Sequence, residues 1–114
     1  MVWVVSDKFL QTNLVPSGAT ETTMYTVPAA TTAILKSLRV TNANAGSSNI
    51  SIIQNNSGTT TDLYLYKEQA LVANATVDIF SGVPLVLESG DKLNILSSVA
   101  TVHFYLSYLE VDRN

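Results

Sequence analysis

One histidine, no cysteine and nine carboxylates are the imidazole, thiol and carboxyl groups from which this 114-residue chain could build an acid–base or metal-binding site. His103 lies in Val102-His103-Phe104-Tyr105, an alternating run that reads as a strand, with Tyr105 and Ser107 on the histidine's side. Nucleophilic hydrolysis would need that imidazole in a cleft, between a hydroxyl and a carboxylate. The alternation predicts a sheet-surface or interface position instead. Zinc would have to be held almost entirely by carboxylates, against its preference for nitrogen and sulfur. Glu88-Ser89-Gly90-Asp91 could offer oxygens to calcium, but such loops gather several closely spaced ligands. Here a tight turn is the simpler reading, with Gly90 supplying a positive φ and Asp91 bonding the local backbone. The remaining glycines stand singly, so no phosphate-cradling loop exists. The expectation is no catalytic residue, no metal and no cofactor: not an enzyme.

Charge narrows the partners. Lys8, Lys36, Arg39, Lys67, Lys92 and Arg113 are scattered, and the formal net charge is −3. Nucleic-acid binding needs clustered cations to displace counterions from phosphates, so neither DNA nor RNA is an expected partner. No apolar run approaches the ~20 residues of a membrane span, so no membrane partner is expected either. The apolar start Met1-Val2-Trp3-Val4-Val5 stops at Ser6-Asp7-Lys8 and lacks a basic leader, which predicts a protein made in a cytoplasm.

What is left is surface. Charged residues make up only 13% of the chain, and Thr, Ser and Asn carry the polar character instead. A surface poor in ions loses less hydration when it is covered. Val2, Trp3, Val4, Val5 and Phe9 near the N-terminus, and Tyr64, Tyr66, His103 and Tyr105 in strands, are the candidate partner-interface residues. Aromatic rings bury much area for little lost freedom. The same tyrosines could equally cap the core or shield a sheet edge.

These residues need a frame, and the frame reads as all-β. Short runs of Val, Ile, Leu, Tyr and Thr recur every eight to twelve residues, divided by Gly, Pro, Asn and Ser clusters. About eight strands fit an antiparallel, jelly-roll-like β-sandwich with one domain over residues 23–114. Residues 1–22 read as an N-terminal arm: a first strand over Val2 to Val5, with an extension through Phe9 and Leu10 left open, followed by a loop from Asn13 to Thr23 that leads into the domain. In the strand Ala33 to Thr41, Ile34, Leu38 and Val40 share one face, with Ser37, Arg39 and Thr41 on the other. Lys36 falls on the apolar side, which predicts a place near a strand edge where its stem can reach water. The last run has Val102, Phe104 and Leu106 on one parity but Leu109 and Val111 on the other. Either a one-residue bulge near Ser107 or Tyr108 reconciles them, or both faces are covered.

Two stretches carry a family resemblance. Tyr25-Thr26-Val27-Pro28-Ala29-Ala30-Thr31-Thr32-Ala33-Ile34-Leu35-Lys36-Ser37-Leu38-Arg39-Val40-Thr41-Asn42 resembles a pattern of small structural proteins of tailed-bacteriophage virions. Val83-Pro84-Leu85-Val86-Leu87-Glu88-Ser89-Gly90-Asp91-Lys92-Leu93 is similar to that family's later turn. The chain departs from the pattern at Ala30-Thr31, where Gly-Lys is common, and its first 22 residues lie outside it. The resemblance implies a β-sandwich of the virion, foremost a capsid decoration (cement) protein. Such a protein would bridge major capsid subunits as a self-associated homotrimer, with the N-terminal arm as first contact. The alternative is a tail-tip, fibre or baseplate module binding host glycan through Tyr64, Tyr66 and Tyr105. A small hydrolase on a sandwich is the third reading, resting on His103 alone.

Overall fold

The structure, a computed structural model, describes residues 7–16, 20–56 and 62–112. Among them run nine strands: β1 (Asp7–Leu14), β2 (Thr22–Thr26), β3 (Thr31–Asn42), β4 (Ser48–Asn55), β5 (Asp62–Leu71), β6 (Thr76–Asp78), β7 (Leu85–Leu87), β8 (Lys92–Ser97) and β9 (Val102–Asp112). Short β-branched runs between turn residues put them there, as the spacing predicts. All pairs are antiparallel. The front sheet has the order β1-β9-β3, with β6 and β7 both beside β3; the back sheet has the order β2-β8-β4-β5.

The order is nested. β4 pairs with its successor β5, β3 with β6 and β7, β2 with β8, and β1 with β9. A long hairpin rolled up on itself gives this arrangement, which is the jelly roll. β6 and β7 share one lane, so nine strands occupy eight positions. The break between them, Ile79 to Pro84, is not idle loop. Ile79 and Phe80 dip into the core, and Val83 N donates to Phe80 O at 2.9 Å across Ser81-Gly82, both at positive φ. That is the turn geometry a two-residue hairpin loop requires.

The inner faces of the sheets close over one core. Leu38, Val40, Ile50, Ile52, Leu93, Ile95, Val102 and Leu106 are wholly buried, with Phe104 nearly so. Burying each such side chain stabilises the fold by about 1.5–3 kcal/mol.

Strand β3 departs from the expected pattern. Ala33 and Leu35 fill the core, whereas Ile34 stands on the outer face; only from Leu38 onward do the even positions turn inward. The register explains it: Leu35 faces Tyr108 and Ser37 faces Ser107, leaving Lys36 as the extra residue of a bulge. The bulge therefore lies at the expected level of the sheet but on β3, not on β9, whose Val102, Phe104, Leu106 and Tyr108 keep one parity. Lys36 is exposed because it is the bulged residue of a central strand, not because it sits at an edge. Near the N-terminus, strand replaces the start of the expected loop: β1 runs to Leu14, and β2 begins at Thr22.

The two stretches that carry the resemblance meet in space. Val27 N donates to Asp91 O at 2.9 Å, Gly90 N to Val27 O at 3.0 Å, and Ser89 Oγ to Pro28 O at 2.9 Å. Asp91 Oδ2 accepts from Glu88 N at 3.0 Å, and Gly90 sits at φ 85°. Asp91 Oδ2 and Ser89 Oγ thus close the turn and clip it to the β2–β3 loop. Asn42, at the end of the first stretch, is fully buried; its Nδ2 donates to Gly46 O, Leu71 O and Val72 O at 3.0–3.2 Å. One side chain thereby ties the β3–β4 turn to the end of β5.

Candidate functional site

An apolar row crosses the outer face of the front sheet. In register, Phe9 on β1 faces Leu109 on β9, which faces Ile34 on β3, which faces Val86 on β7. Phe9 is 78% exposed and Val86 53%, while Leu109 and Ile34 are partly covered by their neighbours. Directly opposed side chains on one face touch, so a row of four makes a continuous strip. Beside it, Tyr105 pairs with Asn13 and Arg39, and His103 pairs with Thr41. Phe9, Gln11, Tyr105, Ser107 and the bulged Lys36 frame a shallow groove of about 440 Å³.

The expected interface residues divide between the sheets. Phe9, Tyr105 and His103 share the front outer face. Tyr64 is exposed on β5 of the back sheet, opposite Ile53, with Lys67 Nζ 5.1 Å from its ring centre. Tyr66 is committed elsewhere: it stands opposite Ile52, and its hydroxyl donates to Ile79 O at 2.9 Å, fastening β5 to the β6–β7 connection. Tyr64, Tyr66 and Tyr105 therefore do not form one stacking surface. Val2, Trp3, Val4 and Val5 lie outside the described residues.

Sequence reasoning missed Ile34, Leu109 and Val86 as surface. Their apolar types read as core. The bulge at Lys36 turns Ile34 outward, whereas Leu109 and Val86 face out by unbroken alternation on β9 and β7 and join the row through their register with Ile34. Leu109 carried the one signal, its wrong parity on β9.

Tyr25 and Tyr108 form a second, internal constellation. Their rings lie 4.4 Å apart at 46°, and Tyr25 Oη donates to Glu110 Oε2 at 2.5 Å. Tyr25 belongs to the back sheet and Glu110 to the front, so the bond bridges the sandwich. Burial, then the bond to Glu110, raises the Tyr25 phenol far above its ordinary value; burial, then the Glu110 charge, raises Tyr108 as well. Both hydroxyls therefore stay protonated near neutrality, and that of Tyr25 donates to Glu110. Among the described residues, no three of His, Asp and Glu come together as a metal-holding group.

Fold and surface together define a jelly-roll sandwich with an apolar strip on its front. Neither a family model nor a curated protein matches the chain. Solved structures do match in fold. A chain from Bacillus endospore appendages, described as forming disulfide-linked pili, superposes with a TM-score of 0.59 at 10% identity, over 96% of this chain and 89% of that one. A chain of the T13 particle of infectious bursal disease virus gives 0.53 at 11% identity, over 94% of this chain and 31% of that one. The Gx strain of the same virus gives 0.50 at 12%, over 92% and 32%. The chain spans about a third of the length of these viral chains. At such identities the likeness is one of fold.

Proposed function

We propose that this chain is a structural subunit of a virus particle that works by adhesion rather than by a reaction. The apolar strip Phe9–Leu109–Ile34–Val86, held on a rigid sheet and open to solvent, carries the reading. Apolar surface arranged contiguously, and not scattered singly, marks an interaction face. The fold neighbours from viral particles and from pili support it, and so does the resemblance to tailed-phage virion proteins.

Within that role the finer proposal is capsid decoration. The chain would self-associate and lie over joints between major capsid subunits, burying surface across neighbours. Binding stabilises whatever is bound by mass action, about 4 kcal/mol when the partner stands at ~1,000 times its Kd. Repeated over many sites, that resists internal pressure. A disulfide-linked polymer is a less suitable model for this chain, which has no cysteine.

Quantitative mass spectrometry of purified particles tests the proposal. Hundreds of copies per particle are expected of a decoration protein. A handful would place it in the tail, as a tip, fibre or baseplate module with Tyr105 beside the groove as a candidate glycan contact. Absence from particles would overturn the structural role.

A further inference from the structure

The sheet edges are unequal. β6 and β7 are three residues each, with Pro84 between them. β2 is five residues with a register shift at Met24, and β5 has two shifts, with Glu68 at φ 51°. Short length, bulges and proline are the devices that stop an edge from pairing with another chain. β1 has none of them. It holds eight residues in unbroken register with β9, and among the described strands it pairs with nothing on its other side. Only Asp7 and Lys8 at its start carry charge.

We infer that β1 pairs antiparallel with β1 of a second copy across a two-fold axis, Phe9 opposite Phe9, joining the two front sheets into one. This deepens the adhesive role proposed above by naming the surface through which the chain meets itself, and it sets a two-fold where the phage resemblance implies a trimer. Two-fold pairing keeps opposed residues on the same face, so each register is centred on a residue. Centres at Asp7 or Lys8 set like charges against each other, which destabilises a pair. The Phe9 centre sets Asp7 opposite Gln11 and Lys8 opposite Leu10. Centres at Leu10 or Gln11 also avoid like charges, but leave Phe9 facing Gln11 or Asn13. With Phe9 at the axis, the strip Val86–Ile34–Leu109–Phe9 meets its own copy and runs on across eight strands. The most exposed large apolar side chain of the front face is then covered by its equal.

Because the chain has no cysteine, single-cysteine variants of the full chain report the register directly. Opposed Cα atoms in an antiparallel pair lie about 4.5–5.5 Å apart, within the roughly 4.4–6.8 Å that a disulfide spans. Phe9→Cys should give a covalent dimer on mild oxidation. Gln11→Cys, exposed on the same face, should not, since the two Gln11 positions would be separated by about 14 Å along the strands at ~3.4 Å per residue. Sedimentation should find the unmodified chain at twice its monomer mass, and Phe9→Lys at the monomer mass with an unchanged circular dichroism spectrum. A monomeric or trimeric unmodified chain, or equal crosslinking of the two cysteine variants, overturns the pairing and leaves the particle role standing. Absence from particles overturns that role and leaves the pairing.

Discussion

Ala30 sits at φ 56°, in the left-handed region where a Cβ crowds the following carbonyl. The phage-like pattern has glycine at this place, and the backbone explains why: the bend between Pro28 and Thr31 asks for a residue without a Cβ. Ala30→Gly should therefore stabilise the chain, by up to about 1 kcal/mol after the extra freedom glycine gives the unfolded state. A rise in the urea midpoint checks it, and a fall would mean that the bend tolerates alanine without strain. Tyr25 makes a second residue-scale case. Its phenol has a higher pKa folded than unfolded, so its contribution is whole below about pH 10, the ordinary tyrosine value, and drains away as the pH rises further. Tyr25→Phe should lose about 1 kcal/mol near neutrality, where the hydrogen bond to Glu110 is gone. It should also lose stability less steeply above pH 10. Denaturant midpoints across pH 7 to 11 measure both, and parallel curves would show that the phenol does not couple folding to pH.

At the scale of elements, the bulge at Lys36 decides which half of β3 faces inward. Ala33 and Leu35 on one side of it, and Leu38 and Val40 on the other, are all wholly buried only because one extra residue lies between them. Deleting Lys36 would turn one half of the strand over, exposing Ala33 and Leu35 and burying Thr32 and Ile34, or the reverse downstream. That expels buried leucine and draws polar groups into the core, a loss on the order of several kcal/mol. The deletion should not yield a folded chain, whereas Lys36→Gln, which keeps the bulge, should stay within ~0.5 kcal/mol of the parent. Circular dichroism and a thermal melt distinguish them. A folded deletion variant would show that β3 can shift its register against β9. The bulge has a functional consequence too, because it is what places Ile34 outside and completes the apolar strip.

Over the whole molecule, the nested order draws the first and last described strands together: β1 and β9 lie side by side in the front sheet, as β2 and β8 do in the back sheet. The resemblance motifs, some sixty residues apart in the chain, become one clipped double turn by the same rolling-up. Rigidity follows from closure of both sheets over a single core, and it leaves the outer faces and the β1 edge as the places where the molecule can meet another. This is the arrangement an adhesive subunit needs. The strip and the edge lie on the same sheet, so contact at one continues the other.

How much of this was legible in the sequence depends on the range of the interaction concerned. Alternation of apolar and polar residues is local, and it was enough for the all-β class, for most strand positions and for the turns at Ser81-Gly82 and Glu88–Asp91. Turn chemistry is local as well, which is why Gly90 and Asp91 read as a turn. The placing of Ile34, Leu109 and Val86 on the surface, the commitment of the Tyr66 hydroxyl and the separation of Tyr64 from Tyr105 were not legible. Each depends on which strand lies beside which and in what register. Pairing is a bargain between segments distant in the chain, and parity within one strand carries no record of a bulge that only its neighbour reveals. The residues by themselves determined that this chain would be layered antiparallel strands, because alternation is local; only the rolled-up sandwich, by bringing four distant strands into one row, decided where its exposed apolar strip would lie.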